Sequence, residues 1–317
     1  MVRMYFILGC TAVGKGAVGR ELARRLGGQI VSVDSMKVYR RMDIGTGKPS
    51  PAQRAEIPHH CIDIVEPSEP FSVARYLEHA DRAISQITAA GDVVLAVGGT
   101  GLYIKALSEG LFAGPGADAE IRRRLEGRAA QEGLAALHAE LAQVDPEAAG
   151  RIHPRDEKRI VRALEVYELT GEPISRLQKQ WDRRRKRYDC VFIGLRRSRV
   201  DSNRRINARV REMIEGGLAD EVAALLAEPA GVSGQAAQAL GYAEMICHLR
   251  GQCSLEQAVE RIKVNTRRFA KRQRTWFRRF REARWIDLTE DAGVEAVAEA
   301  AMEYIDAGPP GRYHERR

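Results

Sequence analysis

Residues 4–20, MYFILGCTAVGKGAVGR, constrain this chain more than any other stretch. The apolar run 4–8 reads as a buried parallel strand. It feeds Gly9, Cys10, Thr11, Ala12, Val13, Gly14, Lys15 and Gly16, and a helix follows. Strand, GxxxxGK and helix in that order form a phosphate-binding loop. Its glycines let backbone N–H groups converge on an anion, and the helix N-terminus adds a favourable dipole. Lys15 adds a point charge. Gly16 stands where Ser or Thr would place a hydroxyl on Mg²⁺. The loop implies a bound diphosphate or triphosphate and leaves open what is done with it. The competing reading is a plain Gly-rich strand–helix turn.

Two further strand ends share that rim. Residues 29–33, QIVSV, read as a strand ending in Asp34, and 92–97, DVVLAV, as one ending in Gly98, Gly99 and Thr100. Ligands of open α/β sheets sit beyond the carboxyl ends of strands. Asp34 therefore lies on the rim with Lys15. A carboxylate beside a bound anion suits a general base or a Mg²⁺ partner; the alternative is a cap on the next turn. Strand 189–195 returns the chain to the sheet. On the helix predicted over 199–216, Arg205 and Arg209 are four apart and share a face, as a diphosphate clamp needs. His59 and His60 are adjacent within a possible short strand, 57–64. They point to opposite faces there, so a structural role outweighs metal binding.

Between these segments, 113–187 lacks strand signals and is rich in Ala, Leu, Glu and Arg. Helices are predicted near 119–132, 133–144, 155–170 and 174–184, with turns at Pro146, 150–154 and 171–173. The expected organisation is α/β: a parallel sheet flanked by helices from 1–112 and 188–307, a helical insertion at 113–187 and a flexible tail at 308–317. No apolar run approaches the roughly 20 residues that span a bilayer. No signal-peptide pattern is read at the N-terminus. Five scattered cysteines form no disulfide framework, so a reducing cytoplasm is expected. The net charge of +8 is uneven: 183–187 reads RRRKR, and 267–284 holds nine Lys or Arg residues interleaved with aromatics. Such clustering favours a polyanionic partner over a merely solvated helix face.

At this point the residues resemble a known family, the bacterial tRNA dimethylallyltransferases. The matching stretches are the loop at 9–16, DSMKVYRRMDIGTGKP at 34–49, PHHCIDI with the later SVARY, and GGTGLYIKAL at 98–107. They continue with IHPRDEKRIVRALEVYELTG at 152–171, RINARVREMIEGGLADEV at 205–222, QALGYAEM, and FAKRQRTWFR at 269–278. The resemblance implies a P-loop NTPase-like sheet with an inserted all-helical tRNA-binding domain. It implies transfer of a dimethylallyl group from dimethylallyl diphosphate to N6 of adenosine 37 in tRNA, by a monomeric cytoplasmic enzyme with Mg²⁺. Asp34 would be the general base, Thr100 would steady the diphosphate near its scissile oxygen, and Lys15 and Arg209 would hold the leaving group. The tRNA anticodon stem-loop would be contacted by Asp34, Ser35, Met36, Lys37, Thr100, Arg122, Lys158, Arg159, Ile160, Val161, Arg162, Lys271, Arg272, Gln273, Arg274, Trp276 and Arg278.

Four residues depart from the family pattern. The loop reads GCTAVGKG where GPTASGKT is usual, so Cys10, Val13 and Gly16 differ. Lys37 stands where Gln is common and cannot accept a hydrogen bond. These departures keep two alternatives open. One is a catalytically weakened paralogue acting as a tRNA-binding protein; the other is an adenylate isopentenyltransferase. The helical insertion and the basic segment argue against the second, because a mononucleotide needs neither.

Overall fold

The structure is a computed structural model and describes residues 1–112, 114–178 and 186–307. Six strands form one parallel sheet: β1 (Arg3–Gly9), β2 (Gly28–Val33), β3 (His59–His60), β4 (Val93–Gly98), β5 (Asp189–Arg196) and β6 (Arg284–Asp287). Their order is β3-β2-β4-β1-β5-β6. β1 lies between β4 and β5, with Leu8 beside Gly98 on one side and Gly194 on the other. Parallel strands covered on both faces read as continuous apolar runs. Phe6, Ile7, Leu8, Val31, Val33, Leu95 and Ile193 are accordingly buried. Each such side chain contributes about 1.5–3 kcal/mol. Phe6 and Phe192 pack across β1 and β5 with ring centroids 4.7 Å apart.

The strands point their carboxyl ends the same way, so the turns after β1, β2 and β4 share one rim. Lys15–Leu26 follows β1 as a helix, with Gly14 in the left-handed region at φ 105° as its N-cap. Ser72 caps the Val73–Ala89 helix by accepting from the Arg75 N–H at 3.2 Å. The helix Arg199–Glu215 stops at Gly216 and Gly217, and a separate helix, Leu218–Ala227, begins there. The sequence reading ran one helical stretch through this break. The long basic helix spans Leu255–Phe277. Beyond it the chain folds back through turns that bury Phe280.

Other expectations need adjustment. The strand predicted over 57–64 contracts to His59–His60, because Cys61 and Asp63 take positive φ values of 60° and 55° that end extended pairing. His59 Nδ1 bonds the Ile57 carbonyl oxygen at 2.6 Å and His60 Nε2 bonds Gln29 Oε1 at 2.7 Å. Both imidazoles are thereby placed as structural groups. Helices Pro51–Glu56 and Val294–Asp306 had no sequence assignment.

The chain divides into two compact units. One comprises Met1–Ser108 and the chain from Arg187 on; the other is Glu109–Lys186. The second unit is helical: Ala119–Glu132, Leu134–Val144, Pro146–Arg151, Glu157–Thr170 and Ile174–Gln178. Pro146, read as a turn marker, is instead the first residue of a short helix capped by Asp145. Asp145 is buried; its Oδ1 accepts from Ala148 N–H and its Oδ2 from Ser175 N–H, both at 2.9 Å. The core of this unit includes Leu125, Leu137, Leu141, Ile160, Leu164 and Val166. Most of the 183–187 run and the 308–317 tail lie outside the described residues. No described helix is long and apolar enough to cross a membrane.

Candidate functional site

The loop after β1 closes over a cavity of about 390 Å³. Its walls include Lys15, Lys37, Arg205 and Arg209, with Asp34 and Glu212 as the acidic members. Burial pushes the Lys15 ammonium down; Asp34 opposes that and Arg209 adds to it. Lys37 is pushed down to about 8, by burial first, with Asp34 opposing and Lys15, Arg209 and Arg20 reinforcing. Burial likewise lowers Arg209. Cations held under such strain, with no carboxylate in direct contact with Lys15, Lys37 or Arg209 among the described residues, mark a place for an anion.

Three of these cations are anchored on the loops they face. Lys15 Nζ donates to the Cys10 carbonyl at 3.2 Å. Arg205 donates to the Ala12 carbonyl at 3.0 Å. Arg209 donates to Thr11 Oγ1 and to the Thr46 carbonyl, each at 3.2 Å. Gly47 makes the last contact feasible: its φ is +60°, and a Cβ there would meet Arg209 Nη2 at 2.6 Å. The Arg205–Arg209 spacing read from sequence thus puts both guanidiniums on the phosphate loop.

A second cavity of about 280 Å³ adjoins the first and shares Thr11, Asp34, Thr46, Arg209, Phe269 and Gln273 with it. Its own walls are more apolar, with Met36, Ile206, Val210, Met213 and Leu240. Asp34 stands at the junction. Its Oδ1 accepts from the Met36 N–H at 2.9 Å, which fixes the carboxylate, and Oδ2 has no protein partner among the described residues. Asp34 therefore both caps its turn and presents an oxygen to the site. Thr100 lines the second cavity only; its Oγ1 accepts from Ser35 N–H at 3.1 Å.

A second layer, unread in the sequence, holds this arrangement. Gln273 is 7% exposed. It accepts from Thr11 N–H at 2.8 Å and donates to the Gly99 carbonyl at 2.9 Å, tying two Gly-rich strand ends together. Besides the tRNA contact expected of it, the amide braces the phosphate loop and lines both cavities. Glu221 accepts from the Asp43 and Ile44 N–H groups at 2.9 and 2.8 Å and from the Tyr242 hydroxyl at 2.5 Å, fixing the loop that carries Thr46. Lys48, with a side chain 1% exposed, bonds Tyr39, Asp43 and Asp63 and is a staple of the same loop. The signal for these residues was their place within motif stretches whose roles the sequence left unassigned.

The remaining expected contacts divide by helix face. Lys271, Arg272 and Trp276 gather with Arg268, Thr275 and Arg279 on one surface of the basic helix, and the Arg279 guanidinium lies 5.2 Å from the Trp276 ring centroid. Arg274 and Arg278 turn instead toward Cys10, Leu195 and Arg197. In the helical unit, Lys158 and Arg159 are exposed. Ile160 and Val161 are not available as side-chain contacts: both are buried in that unit's core, on the inward face of the Glu157–Thr170 helix. Arg122 and Arg162 grip Glu165, which is fully buried. Burial alone would raise that carboxyl, but the two guanidiniums and the Asp118 N–H bring it below the usual range.

The residues present do not fit the expected Mg²⁺. Mg²⁺ is ordinarily held by one or two carboxylates with waters and substrate phosphates. Gly16 offers no side-chain oxygen, Asp34 has one oxygen bonded to the Met36 N–H and one free among the described residues, Glu212 is the other carboxylate, and Lys15, Lys37, Arg205 and Arg209 line the same cavity. Among the described residues no group of three or more His, Cys, Asp or Glu could hold a metal.

Comparison with known proteins shows the family of this chain. The IPP transferase family matches residues 37–280. A tRNA dimethylallyltransferase of Geobacter metallireducens is 50% identical over 285 residues, 90% of this chain and 92% of that protein. The full-length tRNA isopentenylpyrophosphate transferase of Bacillus halodurans is 39% identical, with a TM-score of 0.70 over 97% of this chain and 98% of the other. A eukaryotic dimethylallyltransferase that acts on tRNA is 26% identical, with a TM-score of 0.81 over 99% of this chain and 82% of the other. With the phosphate loop, the Asp34 rim and the arginine helix in one site, the chain belongs to the IPP transferase family.

Proposed function

We propose that this chain transfers a dimethylallyl group from dimethylallyl diphosphate to N6 of adenosine 37 in tRNA and releases diphosphate. The observation that carries this reading is the placement of Asp34 between a cationic cavity and an apolar one. The first suits the diphosphate. The second suits the five-carbon chain and the flat base, which must leave its stack to enter.

As the allylic C–O bond breaks, its electron pair goes to the diphosphate oxygen. Lys15, Arg205, Arg209 and the unpaired N–H groups at the start of the Lys15–Leu26 helix face that growing charge. The N6 lone pair forms the new C–N bond, and the N6 proton passes to Asp34. Thr100 and Ser35 hold the rim that positions the base. The cations of the basic helix and the exposed Lys158 and Arg159 suit phosphates of the anticodon stem-loop. Curated relatives that carry the same activity in their names support the reading.

The test is incubation of the purified protein with dimethylallyl diphosphate and unmodified tRNA, followed by mass spectrometry of the nucleosides. A prenylated adenosine is expected with tRNA and none with AMP; no prenylated nucleoside would overturn the proposal. Asp34→Asn is expected to lose about 10²–10⁴-fold in turnover while tRNA binding stays within a factor of about three. Parallel loss of both would refute the general-base role.

A further inference from the structure

Beside Gly16 the diphosphate cavity continues into a third cavity of about 250 Å³. The two share Gly16, Ser32, Lys37, Gly47 and Val97. The third cavity also presents Lys48, His59 and Arg20. Lys48 is spent on Asp43 and Asp63, and His59 on the Ile57 carbonyl. Arg20 and Lys37 remain; neither makes a direct ion pair among the described residues, Glu56 acting on Arg20 and Asp34 on Lys37 from farther off. A Cβ built on Gly16 would meet only Arg20 Nη1, at 3.7 Å. The space vacated by a missing hydroxyl is therefore flanked by a guanidinium and continuous with an ammonium.

We propose that Arg20 and Lys37 hold the diphosphate in the place of a divalent metal, so that this chain binds its donor without Mg²⁺. The identity of the anion rests on the prenyl-transfer reading above. Lys15, Arg205 and Arg209 approach the anion from the loop and the arginine helix, and Arg20 and Lys37 from the side of Gly16. Set against the Asp34 and Glu212 carboxylates in the same cavity, these five cations still leave a positive excess to meet the diphosphate charge without a metal. A dication brought among them meets that excess, and the protein supplies it no hydroxyl at Gly16. Gly16 and Lys37, two separate departures from the family pattern, thus become one change. Removing a metal ligand and adding a side-chain cation at the same place keeps the charge balance of the leaving group.

Titration calorimetry of the whole protein with inorganic diphosphate, in EDTA and in millimolar Mg²⁺, tests this. Binding in EDTA within about threefold of that in Mg²⁺ is expected, and loss of binding in EDTA overturns the proposal. In EDTA, Arg20→Leu and Lys37→Gln are each expected to weaken binding by about tenfold or more, with Lys37→Arg restoring most of it. Unchanged affinity in both variants also overturns it. Thermal melting of each variant shows whether it is folded, and the charge-conserving Lys37→Arg separates lost charge from lost structure. No RNA is present, so this result is independent of transfer chemistry. Metal-free diphosphate binding by a protein that prenylates no tRNA would remove the functional reading and leave the cation substitution standing.

Discussion

Lys37 makes the empty site expensive, and that expense can be measured. Its ammonium is pushed from 10.5 to about 8, so folding binds the Lys37 proton less tightly than the unfolded chain does. At about 1.36 kcal/mol for each unit, the drop from 10.5 to about 8 costs the ligand-free protein roughly 3 kcal/mol at pH 7. The sign follows from the direction of the shift. The cost is fully present below pH 8, where both states are protonated. It is relieved as pH rises through the window from about 8 to 10.5, where the folded state loses its proton first. Replacing Lys37 with Gln removes the charge and keeps much of the side chain's reach. The variant is expected to be more stable than the parent by roughly 3 kcal/mol at pH 7, a rise in melting temperature of about 6–12 °C for a domain of this size. At pH 9.5 the gap should shrink to about half. Urea and thermal melts at the two pH values measure it. Saturating diphosphate should narrow the gap by about 1.4 kcal/mol for each tenfold difference in affinity, because the parent gains more from ligand binding. A Lys37→Gln variant no more stable than the parent at pH 7, or one whose advantage does not shrink by pH 9.5, refutes the reasoning.

Three other outcomes follow from the second layer and the insertion. Gln273→Ala strands the Thr11 N–H and the Gly99 carbonyl, and should cost about 2–4 kcal/mol in urea melts and raise KM for the prenyl donor; an unchanged midpoint would show that the brace carries no stability. Gly47→Ala introduces a Cβ at φ +60° against Arg209, and should lower kcat at least tenfold with tRNA affinity little changed, as steady-state kinetics and filter binding would show. Glu165→Gln leaves two arginines facing a neutral amide; since Arg122 is 40% exposed, solvent screening limits the expected loss to about 1–3 kcal/mol at pH 7. The Glu165 carboxyl lies below its usual range when folded, so this stabilisation is present above the unfolded pKa of about 4.5, and the gap between parent and variant should close as pH falls through the lower folded value.

How much of this was legible in the sequence depended on whether one local rule was enough. The phosphate loop, Asp34 and Gly98–Thr100 stand at the ends of buried parallel strands, which write themselves as apolar runs, so the rim could be read directly. Gln273 needed the helix phase. Ile262, Thr266, Ala270, Gln273 and Phe277 form the buried stripe of Leu255–Phe277, so a Gln in that stripe has to find an internal partner. The same phase sends Arg274 and Arg278 away from Lys271 and Arg272, although all four belong to one basic run. Ile160 and Val161 were expected at the tRNA as part of a contiguous segment, but Ile160 also sits on the apolar face already visible in the sequence, and burial decided for the core. Positive φ at Cys61 and Asp63 has no compositional signature, which is why the strand near His59 was read too long.

The second layer also solves a problem set by the chemistry. The general-base role proposed for Asp34 places it within reach of several cations, and a direct ion pair with Arg209 or Lys15 would oppose proton uptake. The structure keeps them apart by giving each a different anchor. Arg209 is held by Thr11 and Thr46, Lys15 by Cys10, and Asp34 by the N–H of Met36. Those anchors are themselves backbone or short side chains whose loops are pinned by Gln273 and Glu221. Preorganised charges of this kind need not rearrange as the leaving oxygens become negative, which is where such sites gain most of their effect. The burden falls on the ligand-free state, in which like charges face one another round an empty cavity. Binding the diphosphate relieves it, so donor affinity and the instability of the empty site are two readings of the same electrostatic arrangement.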